Sequence, residues 1–238
     1  MGGVTRTTFT RQTQPARGVR TWWGKAWQRA VEEAAYSDAE LRPGRSHARR
    51  GHVGAISVEP GGLLAACRDG DDAWTVEIGI PVLDDTARVA LVEVVAAEAG
   101  RIAELLAGNL PHDLVEHAEE VGVELLPYGG ELTATCTCPH YLDPCPHAVA
   151  VLIQAGWLVD TDPLVLFALR GVDRDSLLAD LHARTVSVAA PSGTADDTDH
   201  ADHADHADDV ELVVDAAMRA QRLVALFEAG AELPDGLV

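Results

Sequence analysis

The chain has 238 residues, of which 38 are acidic, 18 are basic and 47% are hydrophobic, and its formal net charge is −20. This apolar fraction is typical of a globular protein with one ordinary core and room for a small added module. No apolar run approaches the ~20 residues that a membrane-spanning helix requires, and no signal peptide opens the chain. These features argue against a membrane protein and predict a cytoplasmic one.

The charge is distributed unevenly along the chain. Residues 1–52 have a net charge of +6, whereas residues 53–238 have a net charge of −26. Residues 1–20 mix Thr, Arg, Gln, Pro and Gly without periodicity and are predicted to form a basic flexible arm. The local excess of positive charge keeps nucleic acid open as a partner despite the acidic average.

Residues 21–122 are predicted to form an N-terminal α+β region that begins with a helix. Thr21 is a suitable N-cap for this helix, which should end near Tyr36. Trp23 and Trp27 recur at helical spacing on one of its faces. We expect this aromatic face to pack in the core.

The densest basic segment runs from Leu41 to His52, and its Pro and Gly residues predict a loop or the entry to a strand. Arginine guanidinium groups bind phosphate oxygens through paired hydrogen bonds, so the segment is a candidate contact for a nucleic-acid backbone. The alternative is that these arginines pair with the protein's own carboxylates. The candidate nucleic-acid-binding residues are Arg42, Arg45, Arg49 and Arg50.

Three strands and two helices follow the basic segment. Polar, glycine-containing turns at 59–62 and 69–72 separate the strands, which predicts an antiparallel meander. A sheet of this size needs a cover. An apolar helical pattern between Asp84 and Gly108, and a second over 112–121, are expected to supply it. The predicted strands are Val53–Val58, Leu63–Arg68 and Trp74–Ile80.

Residues 123–184 are predicted to form a ββα zinc-finger module with packing helices. Two short strands, 123–126 and 132–138, bring two thiols onto one face because side chains alternate along a strand. Pro146 suits the first turn of a helix, which places two more candidate ligands at a helix start. Three cysteines and one histidine fill the tetrahedron that Zn²⁺ prefers. The predicted zinc ligands are Cys136, Cys138, Cys145 and His147.

Other interpretations of these cysteines and of the remaining histidines are weaker. A disulfide between Cys136 and Cys138 would be strained, and clustered thiols in a reducing compartment favour a metal. His140 is expected to be solvated or to support the ligands from outside, and Cys67 is expected to be a small buried residue. Four scattered histidines without ligand spacing are expected on the surface: His47, His52, His112 and His117.

The Cys-x-Cys and Cys-x-His pairs of residues 136–147 resemble the SWIM-type zinc finger, a module named for Swi/Snf-type ATPases and plant Mu-like transposases. Three further segments are similar to stand-alone bacterial or archaeal SWIM proteins, so the resemblance extends from about Trp22 to Arg184. It implies zinc binding with a role in DNA or protein contact, often beside a helicase-like ATPase. The three segments are Thr21–Trp27, Gly44–Val53 and Asp162–Gly171.

The C-terminal part of the chain differs in composition from the rest. Residues 185–209 are rich in Ser, Ala, Pro, Gly and Asp and repeat Asp-His-Ala, which predicts an acidic flexible linker. The alternative is a weak, exchangeable metal site, since histidine-rich tracts collect metal ions. Residues 210–238 are predicted to form an amphipathic helix, whose apolar face must pack on its own domain or on a partner.

The sequence therefore predicts an α+β fold: a small antiparallel sheet covered by helices, a SWIM-type finger and a separate C-terminal helix. The first functional hypothesis is a non-catalytic protein with structural zinc that contacts DNA through its basic N-terminal region. The alternative is an adaptor that docks a helicase-like Swi/Snf-type ATPase or a recombinase through the finger domain or the C-terminal helix. An enzyme is not expected, because four protein ligands leave zinc no open position and no phosphate-binding glycine loop or nucleophile motif occurs.

Overall fold

The structure, a computed structural model, describes residues 6–35 and 37–189, with side chains as far as residue 184. Within that part, five strands form one antiparallel sheet in the order β1-β2-β3-β4-β5. The strands are β1 (Thr7–Phe9), β2 (Val53–Glu59), β3 (Gly62–Asp69), β4 (Asp72–Gly79) and β5 (Thr133–Cys136). The helices are α1 (Trp22–Ala34), α2 (Asp38–Arg49), α3 (Asp85–Ala96), α4 (Ala99–Leu106), α5 (His112–Glu120), α6 (Pro146–Thr161), α7 (Leu164–Leu169) and α8 (Arg174–Ala189).

Strands β2, β3 and β4 form the predicted meander. Gly61 and Gly70 lie in the two turns with φ angles of +81° and +61°, a left-handed conformation that favours glycine. Buried and exposed residues alternate along the strands, so that Val76 and Ile78 of β4 point into the core. One face of the sheet is thus available to be covered by helices.

Helix α6 is the centre of the core and contacts both the sheet and α1. The indole N–H of Trp23 donates to the carbonyl of Val159 at 2.9 Å. One turn further along α1, the indole N–H of Trp27 donates to the carbonyl of Leu152 at 2.9 Å. Burial of both rings confirms the predicted aromatic face of α1, and the two hydrogen bonds satisfy its polar edges.

The predicted flexible arm over residues 1–20 is wrong for residues 7–9, which form β1 at the edge of the sheet beside β2. The guanidinium of Arg6 pairs with the carboxylate of Glu59 at 2.6 Å. At the other end of the segment, the backbone N–H of Arg20 donates to the carboxylate of Asp160 at 3.0 Å. A three-residue edge strand is too short to show a period in the sequence, and pairing with β2 is what orders it.

The basic segment is a helix, α2, and the prediction of a loop or strand entry is wrong. Asp38 and Glu40 in its first turn favour a helix N terminus. Pro43 and Gly44 lower helix propensity and account for the error. Gly44 lies so close to Val149 of α6 that a Cβ atom would collide with it. Packing against α6 therefore stabilises a helix that the local sequence disfavours.

Two further segments differ from the prediction. The helix expected between residues 84 and 108 is divided into α3 and α4, with a break at residues 97 and 98, and the side chain of Asp84 caps α3. Residues 123–126 form no strand, and β5 pairs with β4 of the meander. Since the described residues belong to one compact unit, the predicted boundary at residue 122 falls inside it.

A buried arginine forms hydrogen bonds to segment 123–126, for which the sequence predicts a strand. The side chain of Arg170 is 2% exposed and donates to the carbonyls of Leu125 at 3.0 Å and Pro81 at 2.8 Å. Its remaining N–H groups pair with the carboxylate of Glu131 at 2.9 Å. These bonds satisfy backbone carbonyls that no strand partner reaches, so the segment needs no sheet pairing.

Residues 185–189 of the predicted linker continue α8. The rest of that linker, its Asp-His-Ala repeat and the helix predicted over 210–238 lie outside the described residues. Among the helices described, none combines the length and the apolar composition needed to cross a bilayer.

Candidate metal centre

The four predicted zinc ligands lie on either side of one short loop. Cys136 ends β5 and is paired in register with Val76 of β4, and Cys138 follows two residues later. After the loop, Cys145 is the N-cap residue of α6 and Pro146 occupies its first turn, as predicted. The sheet therefore positions the first pair of ligands and the helix start positions the second.

The ligand atoms of these side chains converge. The sulfur atoms of Cys136 and Cys145 lie 3.9 Å and 4.0 Å from Nδ1 of His147. All four ligand atoms lie within 4.8 Å of one another. A tetrahedral zinc with bonds of ~2.0–2.3 Å holds its ligand atoms about 3.5–3.8 Å apart. The spacing therefore suits one zinc ion. We call Cys136, Cys138, Cys145 and His147 the metal cluster.

Burial makes two thiols of the metal cluster, those of Cys136 and Cys145, weaker acids than a free cysteine. Burial raises the pKa of Cys136 to about 12. It also raises the pKa of Cys145, although a hydrogen bond from the backbone of Ala148 acts in the opposite direction. Zinc binds thiolate, so its uptake must release the thiol protons.

Sequence reasoning missed the residues that surround His147. Its Nε2 lies 3.4 Å from a carboxylate oxygen of Asp69 at the end of β3. Its ring centroid lies 5.2 Å from that of His47 on α2 and 6.2 Å from that of Trp74 on β4. His47 was expected on the surface, but it is half-buried, and burial lowers its pKa. No spacing rule could find these contacts, because they join four separate elements.

The two remaining candidates near the finger lie outside the metal cluster. Cys67 is fully buried, which confirms the prediction, and burial raises its pKa to about 12. His140 is half-buried in the loop, with its ring stacked on Tyr141 and its Nε2 3.5 Å from the carboxylate of Glu40. His140 therefore links the finger loop to the first turn of α2.

The four candidate arginines are carried by α2 and do not join the metal cluster. Arg42, Arg45 and Arg49 recur at helical spacing on a face that adjoins the buried one, with Arg42 and Arg49 exposed, and Arg50 is the C-cap. Arg45 pairs with Glu32 at 2.8 Å. Among the described residues, the other three have no carboxylate within ion-pairing distance. The alternative interpretation, in which these arginines pair with the protein's own carboxylates, therefore holds for Arg45 alone within the described residues.

Comparison with known proteins identifies the finger. Residues 120–156 match the model of the SWIM zinc finger family, and this range contains the whole metal cluster. The chain therefore contains a SWIM-type zinc finger, and this finger binds zinc.

Among known proteins, it is 33% identical over 177 residues to the uncharacterized protein Rv2102 of Mycobacterium tuberculosis. The matched part covers 73% of this chain and 63% of that relative, so the chain spans less than two thirds of the relative's length. No solved structure matches the chain.

Proposed function

We propose that this is a non-catalytic protein in which a structural zinc ion, held by the metal cluster, supports a DNA-contacting surface on α2. The observation that carries the proposal is the placement of α2, which packs on the finger helix α6 and presents arginines on its outer face. We place the protein in the cytoplasm, where clustered thiols stay reduced and available to a metal.

A structural role for the zinc follows from its ligands and from the burial of α6. Four protein ligands complete the tetrahedron and leave no position for a reacting water. When bound, zinc supplies a cross-link between the end of β5 and the start of α6. Nearly every residue of α6 from His147 to Val159 is buried. This helix therefore has no polar face to offer to base edges in a DNA groove.

Contacts with the finger position α2. The side-chain amide of Gln154 on α6 donates to the carbonyl of Ala48 at 3.0 Å. In the finger loop, His140 lies 3.5 Å from the carboxylate of Glu40. These contacts lie at opposite ends of α2, so its orientation depends on the finger to which it is bound.

The arginine face of α2 matches the spacing of DNA phosphates. Arg42 and Arg49 are separated by about 10 Å along the helix axis. One DNA strand presents about three phosphates over that length. Such contacts position a protein without reading sequence. Because residues 53–238 carry a net charge of −26, we expect repulsion elsewhere to confine DNA to this end of the protein.

Salt-dependent binding to a short fluorescent duplex tests this proposal, measured by anisotropy from about 50 to about 200 mM salt. The test variant is R42Q/R49Q, and its matched control is R174Q/R184Q on α8. If both test arginines contact phosphates, the slope of log K against log salt should fall by about 2 in the test variant. The control should keep the wild-type slope. Absence of wild-type binding at the lowest salt, or equal losses in both variants, would refute DNA contact through α2.

Exposed apolar side chains favour a second candidate function, a protein adaptor. Val89 on α3 is 54% exposed and Leu178 on α8 is 36% exposed, and each borders a shallow groove beside α8. A helicase-like Swi/Snf-type ATPase or a recombinase would dock on this finger domain or on the predicted C-terminal helix. Apolar docking is little affected by salt, unlike phosphate contact. Capture of a purified Swi/Snf-type ATPase that persists at about 1 M salt and is lost in V89E would favour the adaptor.

A further inference from the structure

We propose that Asp69 is a positioning residue for His147, which it holds so that Nδ1 of the imidazole faces the thiolates. This inference rests on the ligand role proposed for His147. It starts from the 3.4 Å distance between Nε2 of His147 and Oδ2 of Asp69, two residues that lie 78 positions apart in the chain.

The two ring nitrogens of His147 have different surroundings. Nδ1 lies 3.9 Å and 4.0 Å from the sulfur atoms of Cys136 and Cys145, whereas Nε2 faces the Asp69 carboxylate. A neutral imidazole that binds a metal through Nδ1 carries its proton on Nε2. The Nε2–H group then donates a hydrogen bond to the carboxylate, and this bond fixes the tautomer and raises the basicity of the ligand nitrogen.

Two other aromatic rings pack against the imidazole of His147. His47 packs against it at an interplanar angle of 61° and Trp74 at 31°. The side chain of His147 is 9% exposed, while that of Asp69 is 55% exposed. Asp69 therefore lies on the solvent side of the ring, where it is the acceptor for the one nitrogen that does not face the thiols.

The position of Asp69 is set by the sheet. It is the last residue of β3 and pairs in register with Asp72, the first residue of β4. The other edge of β4 pairs with β5. In that second pairing, Val76 lies opposite Cys136. The carboxylate and the first thiol thus belong to one sheet, and the hydrogen bond joins that sheet to the ligand on α6.

A second metal ion is the rival interpretation, since ligand atoms of His47, Asp69 and His147 also lie within 4.8 Å of one another. Nδ1 of His47 lies 2.9 Å from Nδ1 of His52, so only Nε2 of His47 would remain for a metal. His147 would also have to bridge two cations. The arrangement therefore favours an acceptor over a second metal ligand, and metal stoichiometry distinguishes the two.

The test compares D69A and D69N with the control D71A in the zinc-loaded, full-length protein. Asp71 is exposed in the same turn, and within the described residues it has no hydrogen bond or ion pair. Zinc Kd is measured by competition with a chromophoric chelator, and zinc per chain by mass spectrometry. We expect about 10- to 100-fold weaker binding in D69A. D69N should lose less because its amide oxygen still accepts, and D71A should match the wild type.

Three results would overturn the inference. The first is a Kd for D69A that equals that of D71A. The second is two zinc ions per wild-type chain with one lost in D69A, because Asp69 would then be a ligand itself. The third is a lower urea midpoint in zinc-saturated D69A with an unchanged Kd, which would assign Asp69 to folding. H147A tests the ligand role separately: wild-type zinc affinity in H147A would refute that role, whatever D69A does.

Discussion

Replacement of Cys145 by Ala, compared with the same change at Cys67, isolates the contribution of the metal. Both thiols are buried, but only Cys145 belongs to the metal cluster. Structural zinc contributes about 10–16 kcal/mol in finger peptides, so one of four ligands accounts for about 3–4 kcal/mol. This corresponds to roughly 10²- to 10³-fold weaker zinc binding. At Cys67 the loss is a small packing defect of about 1 kcal/mol, with no effect on the metal.

The assay combines metal content with unfolding. Wild type and C67A should each carry one zinc per chain after dialysis against a weak chelator, whereas C145A should lose it. Urea unfolding in the presence of zinc should show a large loss of stability for C145A and a small one for C67A. With a strong chelator present, the difference between wild type and C145A should shrink. A C145A protein that retains one zinc at wild-type affinity would refute the ligand assignment.

Three other predictions address the packing and the pH dependence of the site. Glu131→Ala leaves the buried Arg170 without its carboxylate and should cost about 3–5 kcal/mol in urea unfolding; a loss below about 1 kcal/mol would contradict the buried pair. Gly44→Ala should lower the free energy of unfolding by about 1–3 kcal/mol through overpacking against α6. Gly100→Ala, where a Cβ meets nothing within 4 Å, should raise it by about 0.5–1 kcal/mol. A change of the same sign in both variants would contradict this reasoning. Because burial raises the pKa of Cys136 to about 12, its thiol is protonated at neutral pH without metal, and zinc affinity should rise with pH in chelator competition; a constant Kd would contradict this.

The metal cluster could be predicted from the sequence because its ligands come in two pairs, each within a few neighbouring residues. Cys136 and Cys138 share one short extended segment, and Cys145 and His147 share the start of one helix. Strand alternation and helix-start chemistry each act over a few residues. The meander was predictable for the same reason, since glycine-containing turns separate strands that pair with their neighbours in the chain.

Helix α2 shows where local reasoning fails. Pro43 and Gly44 indicate a loop by propensity, yet Gly44 is the residue that allows α2 to approach α6. The same property of glycine, its missing side chain, weakens an isolated helix and permits a close helix contact. Which effect dominates depends on a surface contributed by residues about a hundred positions later.

The amino-acid sequence by itself determined which four side chains could converge on a metal, the meander and the starts of α1, α3 and α6, because each depends on neighbours within a few positions. Only the tertiary structure decided that Asp69 and His47 adjoin His147, that Arg170 is buried with Glu131, and that α2 is a helix. These arrangements depend on atoms from distant segments that meet only when the core is packed. Their free energy comes from burial and satisfied hydrogen bonds between elements, which leave no periodic pattern in the chain.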